Sequence, residues 1–340
     1  MMKTAVLGAG SWGTALATVL AEGGYAPLLW CRSAAVADEI NEKHTTNDYL
    51  PGVELPGSLR ATTELADLRD RDLILVVTPS KAIAEVAEKL AAVGICPDTV
   101  LLACTKGIER DTGRRMSEIL QDIFPDNPIA VLSGPNHAEE VARKLPTATT
   151  IAASDHEVAE RIQAAFTLPW FRSYTTTDVA GVELGGAIKN VFAIAGGIVE
   201  GLGLGDNAKA ALVTRGLTEL TRLGVALGGD AKTFQGLSGV GDLVVTCYSE
   251  LSRNHRVGRG LGEGKSLEEI TAGMGHMVAE GVPNTLSIYE AARRLEVDTP
   301  IIDQVHHVLY EGKSPAEALT DLFLREPKPE VDDRCDGAAT

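Results

Sequence analysis

Lys189 stands inside Gly185-Gly186-Ala187-Ile188-Lys189-Asn190-Val191-Phe192-Ala193-Ile194, a run that otherwise reads as a buried helix. An unpaired ammonium is costly there, so the side chain is paired, snorkels, or is kept for chemistry. Desolvation and a nearby cation would lower its pKa and make it a usable proton donor and acceptor. Glu183 or Asp242 could instead hold it in a structural pair, and either could also orient it. Lys106, between Thr105 and Gly107 in a loop leaving a strand, offers a cationic head to a phosphate or carbonyl oxygen, or is an ordinary loop lysine. Ser252, Arg253 and Asn254 open a helix, where backbone donors, a planar fork and side-chain hydrogen bonds suit a phosphoryl group. Arg256 and Arg259 read as its solvated face. Asp242, after Gly239-Val240-Gly241, either lends a carboxylate to this group or simply starts a helix.

A second chemical signature opens the chain. The apolar run Lys3 to Leu7 leads into Gly8-Ala9-Gly10-Ser11-Trp12-Gly13, the G-x-G-x-x-G of a dinucleotide site. Gly8 permits the tight turn, Gly10 the approach of a pyrophosphate, and Gly13 close packing of helix on strand. The next strand, Ala26 to Trp30, ends in Cys31-Arg32-Ser33, without the carboxylate that would accept from the ribose hydroxyls in an NAD site. Arg32 can pair with a 2′-phosphate and Ser33 can add a hydrogen bond, so NADPH is the preferred cofactor, with NADH possible.

The elements that must position these residues follow two patterns. Up to residue 178, short apolar runs (Leu73 to Val77, Thr99 to Ala103, Ile129 to Leu132, Thr147 to Ala153, Phe171 to Thr175) alternate with helical stretches, as in a doubly wound parallel sheet. Their carboxyl-end loops, Thr78-Pro79-Ser80, Thr105-Lys106-Gly107 and Ser133-Gly134-Pro135-Asn136, converge on one crevice. From 179 to 325 only helices are expected: Val179 to Glu200, Asn207 to Leu227, Val240 to Cys247, Arg253 to Leu261, Asn284 to Leu295 and Ile301 to Tyr310. Asp206, Asp230, Ser252 and Ser314 are the expected N-caps. Gly201, Gly203 and Gly205 follow no strand and read as a turn between helices. The fold class is therefore α/β, an N-terminal Rossmann-type doubly wound sheet (1-178) followed by an all-α domain (179-325), with residues 326-340 a proline-broken polar tail expected to be disordered.

Composition narrows the partners. A chain of 340 residues, 44% apolar, can build a large core without staples, and a net charge of -16 argues against a nucleic-acid or anionic-membrane surface. The five cysteines, Cys31, Cys96, Cys104, Cys247 and Cys335, show no C-x-x-C spacing, and reduced thiols in a cytoplasmic protein are the simplest account. No signal peptide and no membrane-length apolar stretch are read. His44, His137, His255 and His276 are scattered and adjacent His306 and His307 point to different faces, so no metal site is expected.

Taken in order, the glycine loop Gly8 to Ala17, Thr105-Lys106-Gly107-Ile108-Glu109, Leu132-Ser133-Gly134-Pro135, Glu183 to Ile194, Gly241-Asp242-Leu243 and Ser252-Arg253-Asn254 closely resemble the bacterial soluble glycerol-3-phosphate dehydrogenases over about residues 3 to 325. The resemblance implies reversible, NAD(P)H-dependent reduction of dihydroxyacetone phosphate to sn-glycerol 3-phosphate at the entry to phospholipid synthesis. It makes Lys189 the general acid/base and implies substrate contacts at Lys106, Gly134, Asn136, Lys189, Asp242, Ser252, Arg253 and Asn254. Cofactor contacts are implied at Ser11, Trp12, Arg32, Lys106, Ala138, Arg253, Val278 and Glu280. Asn136 departs from the frequent Ser or Thr. The partner expected is a small phosphorylated substrate, and a homodimer is left open. The rivals are a reductase of the ketopantoate reductase or 6-phosphogluconate dehydrogenase type, which would not require the Lys106 loop together with Ser252-Arg253-Asn254, and a non-catalytic NADP(H) sensor, which would not require Lys189.

Overall fold

The computed structural model describes residues 2–110, 112–274, 279–327 and 329–330. Among them eight strands, β1 (Thr4–Leu7), β2 (Leu28–Trp30), β3 (Arg60–Thr62), β4 (Leu73–Val76), β5 (Val100–Ala103), β6 (Ile129–Ser133), β7 (Thr147–Ala153) and β8 (Phe171–Thr176), form one sheet. Its order is β3-β2-β1-β4-β5-β6-β7-β8, with the break in order beside β1, where Leu7 lies opposite both Trp30 and Val76. Strands β1, β4 and β5 are buried at every position, because helices cover both faces of a parallel sheet. The sheet is not wholly parallel as expected: β7 runs antiparallel to β6, with Ser133 opposite Thr150. The link between them carries only one short helix and turns back at Gly134, whose φ of +152 favours glycine. Strand β3 was not foreseen, because its Arg-Ala-Thr has no apolar run to mark it.

In the first half the helices are α1 (Ser11–Glu22), α2 (Ala34–Asp38), α3 (Ile83–Val93), α4 (Met116–Ile123), α5 (Ala138–Ala142) and α6 (His156–Phe166). The second half holds α7 (Val179–Gly201), α8 (Gly205–Ala226), α9 (Ala231–Phe234), α10 (Asp242–Tyr248), α11 (Arg253–Gly262), α12 (Leu267–Ala272), α13 (Gly281–Arg294), α14 (Pro300–Tyr310) and α15 (Pro315–Phe323). Helices α12 and α15 were not anticipated as elements, although Ser314 does cap α15. Asp230 and Ser252 also cap as expected, whereas Asp206 lies in the first turn of α8 and Leu204 occupies the cap position.

Helix α7 is the axis of the second half, and α8, α10, α11, α13 and α14 pack against it. Its start is fixed by Asp178, whose carboxylate accepts from Gly181 N at 2.8 Å and from Thr233 Oγ1 at 2.6 Å. With 23 residues it does reach membrane-crossing length and hydropathy, contrary to the sequence reading, yet its most apolar window is wholly buried in the fold. The crossing with α11 brings backbones together: a Cβ on Gly197 would fall 2.0 Å from His255 O, and one on Gly258 would fall 1.9 Å from Ile194 O. That approach sets the N-terminus of α11 beside the middle of α7.

Candidate active site

The glycine loop has the geometry its spacing requires. Gly8 has φ +129, and a Cβ there would meet Val77 O at 2.5 Å; a Cβ on Gly13 would meet Gly8 O at 1.8 Å. Gly10 faces open space, which is the room a pyrophosphate needs. The first helical bond of α1 runs from Thr14 N to Gly10 O, so the N–H groups of Ser11, Trp12 and Gly13 have no acceptor within the helix. Ser11 Oγ donates to Tyr49 O at 2.8 Å, and the buried Trp12 Nε1 has no hydrogen-bond partner among the described residues. Ser33 is the cap residue of α2 with its hydroxyl uncommitted, and exposed Arg32 makes no hydrogen bond or ion pair among the described residues. These residues fit a dinucleotide carrying a 2′-phosphate.

Glu280 accepts from Ser80 Oγ at 2.7 Å, joining the start of α13 to the loop after β4. Ala138 opens α5 and packs against the core beneath the sheet. Val278 lies outside the described residues.

Across the crevice, two lysines share one carboxylate. Lys189 Nζ donates to Asp242 Oδ1 at 2.9 Å, and Lys106 Nζ donates to Asp242 Oδ2 at 2.5 Å. Lys189 also donates to Thr246 Oγ1 at 2.5 Å, and Lys106 to Gly134 O at 3.1 Å. Each ammonium has three N–H groups, so one on each is left for a ligand. Lys189 is only 5% exposed. Burial lowers its pKa to about 8, and Lys106 adds to that, while Asp242 opposes it. Burial alone would raise the Asp242 carboxyl, but Lys106 and Lys189 together hold it below its ordinary value.

Backbone approach makes this cluster possible. A Cβ on Gly185 would lie 2.4 Å from Ser238 O, and one on Gly186 would lie 2.4 Å from Ser133 Oγ and 3.5 Å from the Lys106 stem. The paired glycines thus let the π-helical turn Leu237–Gly241 and the Lys106 loop close onto α7. Of the two carboxylates the sequence offers Lys189, Asp242 is its partner. Glu183 instead accepts from Ser117 N and Oγ at 2.9 and 2.5 Å, and burial pushes its pKa up to about 7. Asp242 also begins α10, so both readings of it hold.

The phosphoryl candidates divide. Arg253 is exposed at the first position of α11 and makes no hydrogen bond or ion pair among the described residues. Ser252 Oγ caps the helix by accepting from His255 N at 3.2 Å. Asn254 spans three helices: its Nδ2 donates to Asn190 Oδ1 and its Oδ1 accepts from Gly281 N, both at 2.9 Å. Asn136 is likewise engaged, donating to Ala148 O at 2.9 Å and accepting from Thr149 Oγ1 at 3.1 Å.

Two residues of the site were missed. Thr246 is four residues after Asp242, on the same face of α10, and that spacing was the available signal. His137, the cap residue of α5, was set aside as scattered. Burial, then the charges of Lys189 and Lys106, lower its imidazole to about 4 against the opposing effects of Asp242 and the Val245 backbone, so it is neutral at pH 7.

Comparison with known proteins shows the family. The N-terminal and C-terminal parts of the NAD-dependent glycerol-3-phosphate dehydrogenase family match residues 3–159 and 178–320. A Streptomyces coelicolor protein named glycerol-3-phosphate dehydrogenase (NAD(P)+) is 51% identical, over 97% of this chain and 98% of its own. The crystal structure of a glycerol-3-phosphate dehydrogenase from Coxiella burnetii superimposes with a TM-score of 0.91 at 40% identity, covering 95% of this chain and 99% of that one. A ketopantoate reductase family structure from Ralstonia eutropha reaches 0.60 at 14% identity over 94% of this chain and 100% of that one, a likeness of fold alone.

Proposed function

The chain belongs to the NAD(P)-dependent glycerol-3-phosphate dehydrogenases, and on that premise we propose how its own residues carry the interconversion of dihydroxyacetone phosphate and glycerol 3-phosphate. The reduced nicotinamide, when bound, supplies a hydride to the ketone carbon. Negative charge then grows on the carbonyl oxygen, and Lys189 neutralises it and donates the proton; in the reverse direction its neutral amine takes the proton back. The observation that carries this reading is the buried lysine with two of its three donors fixed by Asp242 and Thr246 and its pKa lowered to about 8.

Lys106 adds a second cation at the same oxygen or at the phosphate. Asp242 is the strut that keeps the two ammonium groups at a fixed separation despite their repulsion. Arg253, free and exposed at a helix N-terminus, clamps the phosphate beside Ser252, so that binding energy away from the reacting carbon orients it. Asn254 and Asn136 serve that pocket through position, since their amides are largely committed within the protein. Gly8, Gly10, Ser11, Trp12 and Gly13 hold the cofactor pyrophosphate, Arg32 and Ser33 its 2′-phosphate, and Ala138 and Glu280 flank it. The likeness to the family further suggests supply of glycerophospholipid synthesis in the cytoplasm.

The test is oxidation of NADPH dependent on dihydroxyacetone phosphate. Lys189→Ala should lose at least about a hundredfold in turnover while still binding NADPH. Near-normal turnover would remove Lys189 from the chemistry.

A further inference from the structure

The last turn of α14 gathers groups that the reaction does not use. His306 and His307 are adjacent, which at about 100° per residue separates their faces, and the sequence reading excluded them as joint ligands on that ground. The fold brings a third donor to both rings. Glu311, at the C-cap with φ -115, reaches both rings, one with each carboxylate oxygen. Glu311 Oε1 is 3.5 Å from His306 Nδ1, and its Oε2 is 3.8 Å from His307 Nε2. One donor atom from each of the three lies within 4.8 Å of the other two. A tetrahedral zinc-class ion with bonds of about 2.0–2.1 Å needs donors roughly 3.3 Å apart, so small rotamer changes would close the set.

The His306 side chain is 8% exposed, and its Nδ1 makes no hydrogen bond. That nitrogen faces the Glu311 carboxylate at 3.5 Å without closing a hydrogen bond, so its hydrogen-bonding capacity is incompletely used. The ring is held for the purpose by Tyr289 of α13, stacked on it at 3.8 Å and 7°. Negative charge surrounds the position: Glu311, Asp303 and Glu290 all act on the His306 ring, with Asp303 also paired to Arg293 at 3.2 Å. The neighbouring Lys313 is turned to Gln304 and Asp321.

We propose that His306, His307 and Glu311 form a binding site for a divalent transition-metal ion of the zinc class, with water completing its coordination. Two imidazole nitrogens among three donors favour such an ion over magnesium or calcium, which take oxygen ligands. Its position gives it a role in stability. All three donors belong to α14 and its C-cap, so an ion would hold the last turn of α14, from which the Tyr310 hydroxyl donates to Val282 O at 2.7 Å.

The experiment uses the full untagged chain, stripped of metal, titrated with Zn2+ against a chromophoric chelator and separately with Co2+ followed by its visible absorption. The expected result is one tight site and a rise in Tm with Zn2+. His307→Ala and Glu311→Gln, both at partly exposed positions, should each weaken binding at least about tenfold and abolish the Tm rise, while metal-free turnover stays at the wild-type level. Absence of tight binding in the wild type, or equal affinity in both variants, overturns the site.

Discussion

Lys189 sits where a small change in surroundings decides its protonation. At about 8 its pKa is high enough for a cationic acid at neutral pH and low enough for a base within reach of mild alkali. Reduction needs the ammonium, so its rate should be level below about pH 8 and fall about tenfold per pH unit above it; oxidation should rise over the same interval. Rate profiles in both directions read this, and a reduction rate flat from about pH 7 to 10 would contradict the assignment. Arg32 makes a second case at this scale. Its guanidinium makes no hydrogen bond or ion pair among the described residues and acts on Glu85 only through its charge, so removing it breaks no internal bond. A charge-assisted hydrogen bond is worth about 1.5–3 kcal/mol, so Arg32→Ala should raise the Michaelis constant for NADPH roughly tenfold to a hundredfold and leave that for NADH nearly unchanged. Retained preference for NADPH would move the 2′-phosphate contact elsewhere.

At the scale of elements, the site depends on how closely other backbones approach α7. Alanine in place of glycine inside a helix ordinarily gains up to about 1 kcal/mol. Gly185→Ala should do the reverse, because its Cβ would lie 2.4 Å from a backbone oxygen, Ser238 O, that no rotamer change can move. A loss of about 1–3 kcal/mol in denaturant unfolding is expected, with turnover falling further as the turn before Asp242 shifts. A variant more stable than wild type would show that the turn yields freely. The same dependence explains what sequence could reveal. Strands β4 and β5 were legible because burial on both faces leaves continuous apolar runs, and α7 because no other run of its length is so apolar. Strand β3 and helix α12 were not, since one is three residues of mixed character and the other has no buried position to mark a face.

For the whole molecule, the two halves meet at Lys106, Asp242 and the pair of Ser80 and Glu280, contacts between residues 136 and 200 positions apart in the chain. Residue types and local spacing announced Lys106, Asp242 and Arg253. Which carboxylate would take Lys189, and the entry of His137, depended on tertiary placement that no local pattern encodes, whereas Thr246 follows Asp242 at a helical spacing that the sequence does show. A buried carboxyl tests the molecule's global stability. Glu219 accepts from Ile301 N and Ile302 N at the start of α14, and burial pushes its pKa up to about 8. Its folded value lies above the ordinary one, so this group's contribution is full below about pH 4.5 and is lost as pH rises to about 8. Glu219→Gln should remove about 1 kcal/mol or more of that decline, read from urea midpoints at pH 5 and pH 9; an identical pH dependence in both proteins would refute it. Helix α7 carries one more consequence, which concerns the chain during its synthesis. Emerging from the ribosome before α8, α10, α11, α13 and α14 exist, it is a 23-residue apolar segment with the length and hydropathy of a membrane span. Lysine at the centre of such a segment opposes insertion by about 2.5–3.5 kcal/mol. Lys189 sits near that centre, so the residue proposed for proton transfer also adds a cost of that size to any placement of this helix in a bilayer.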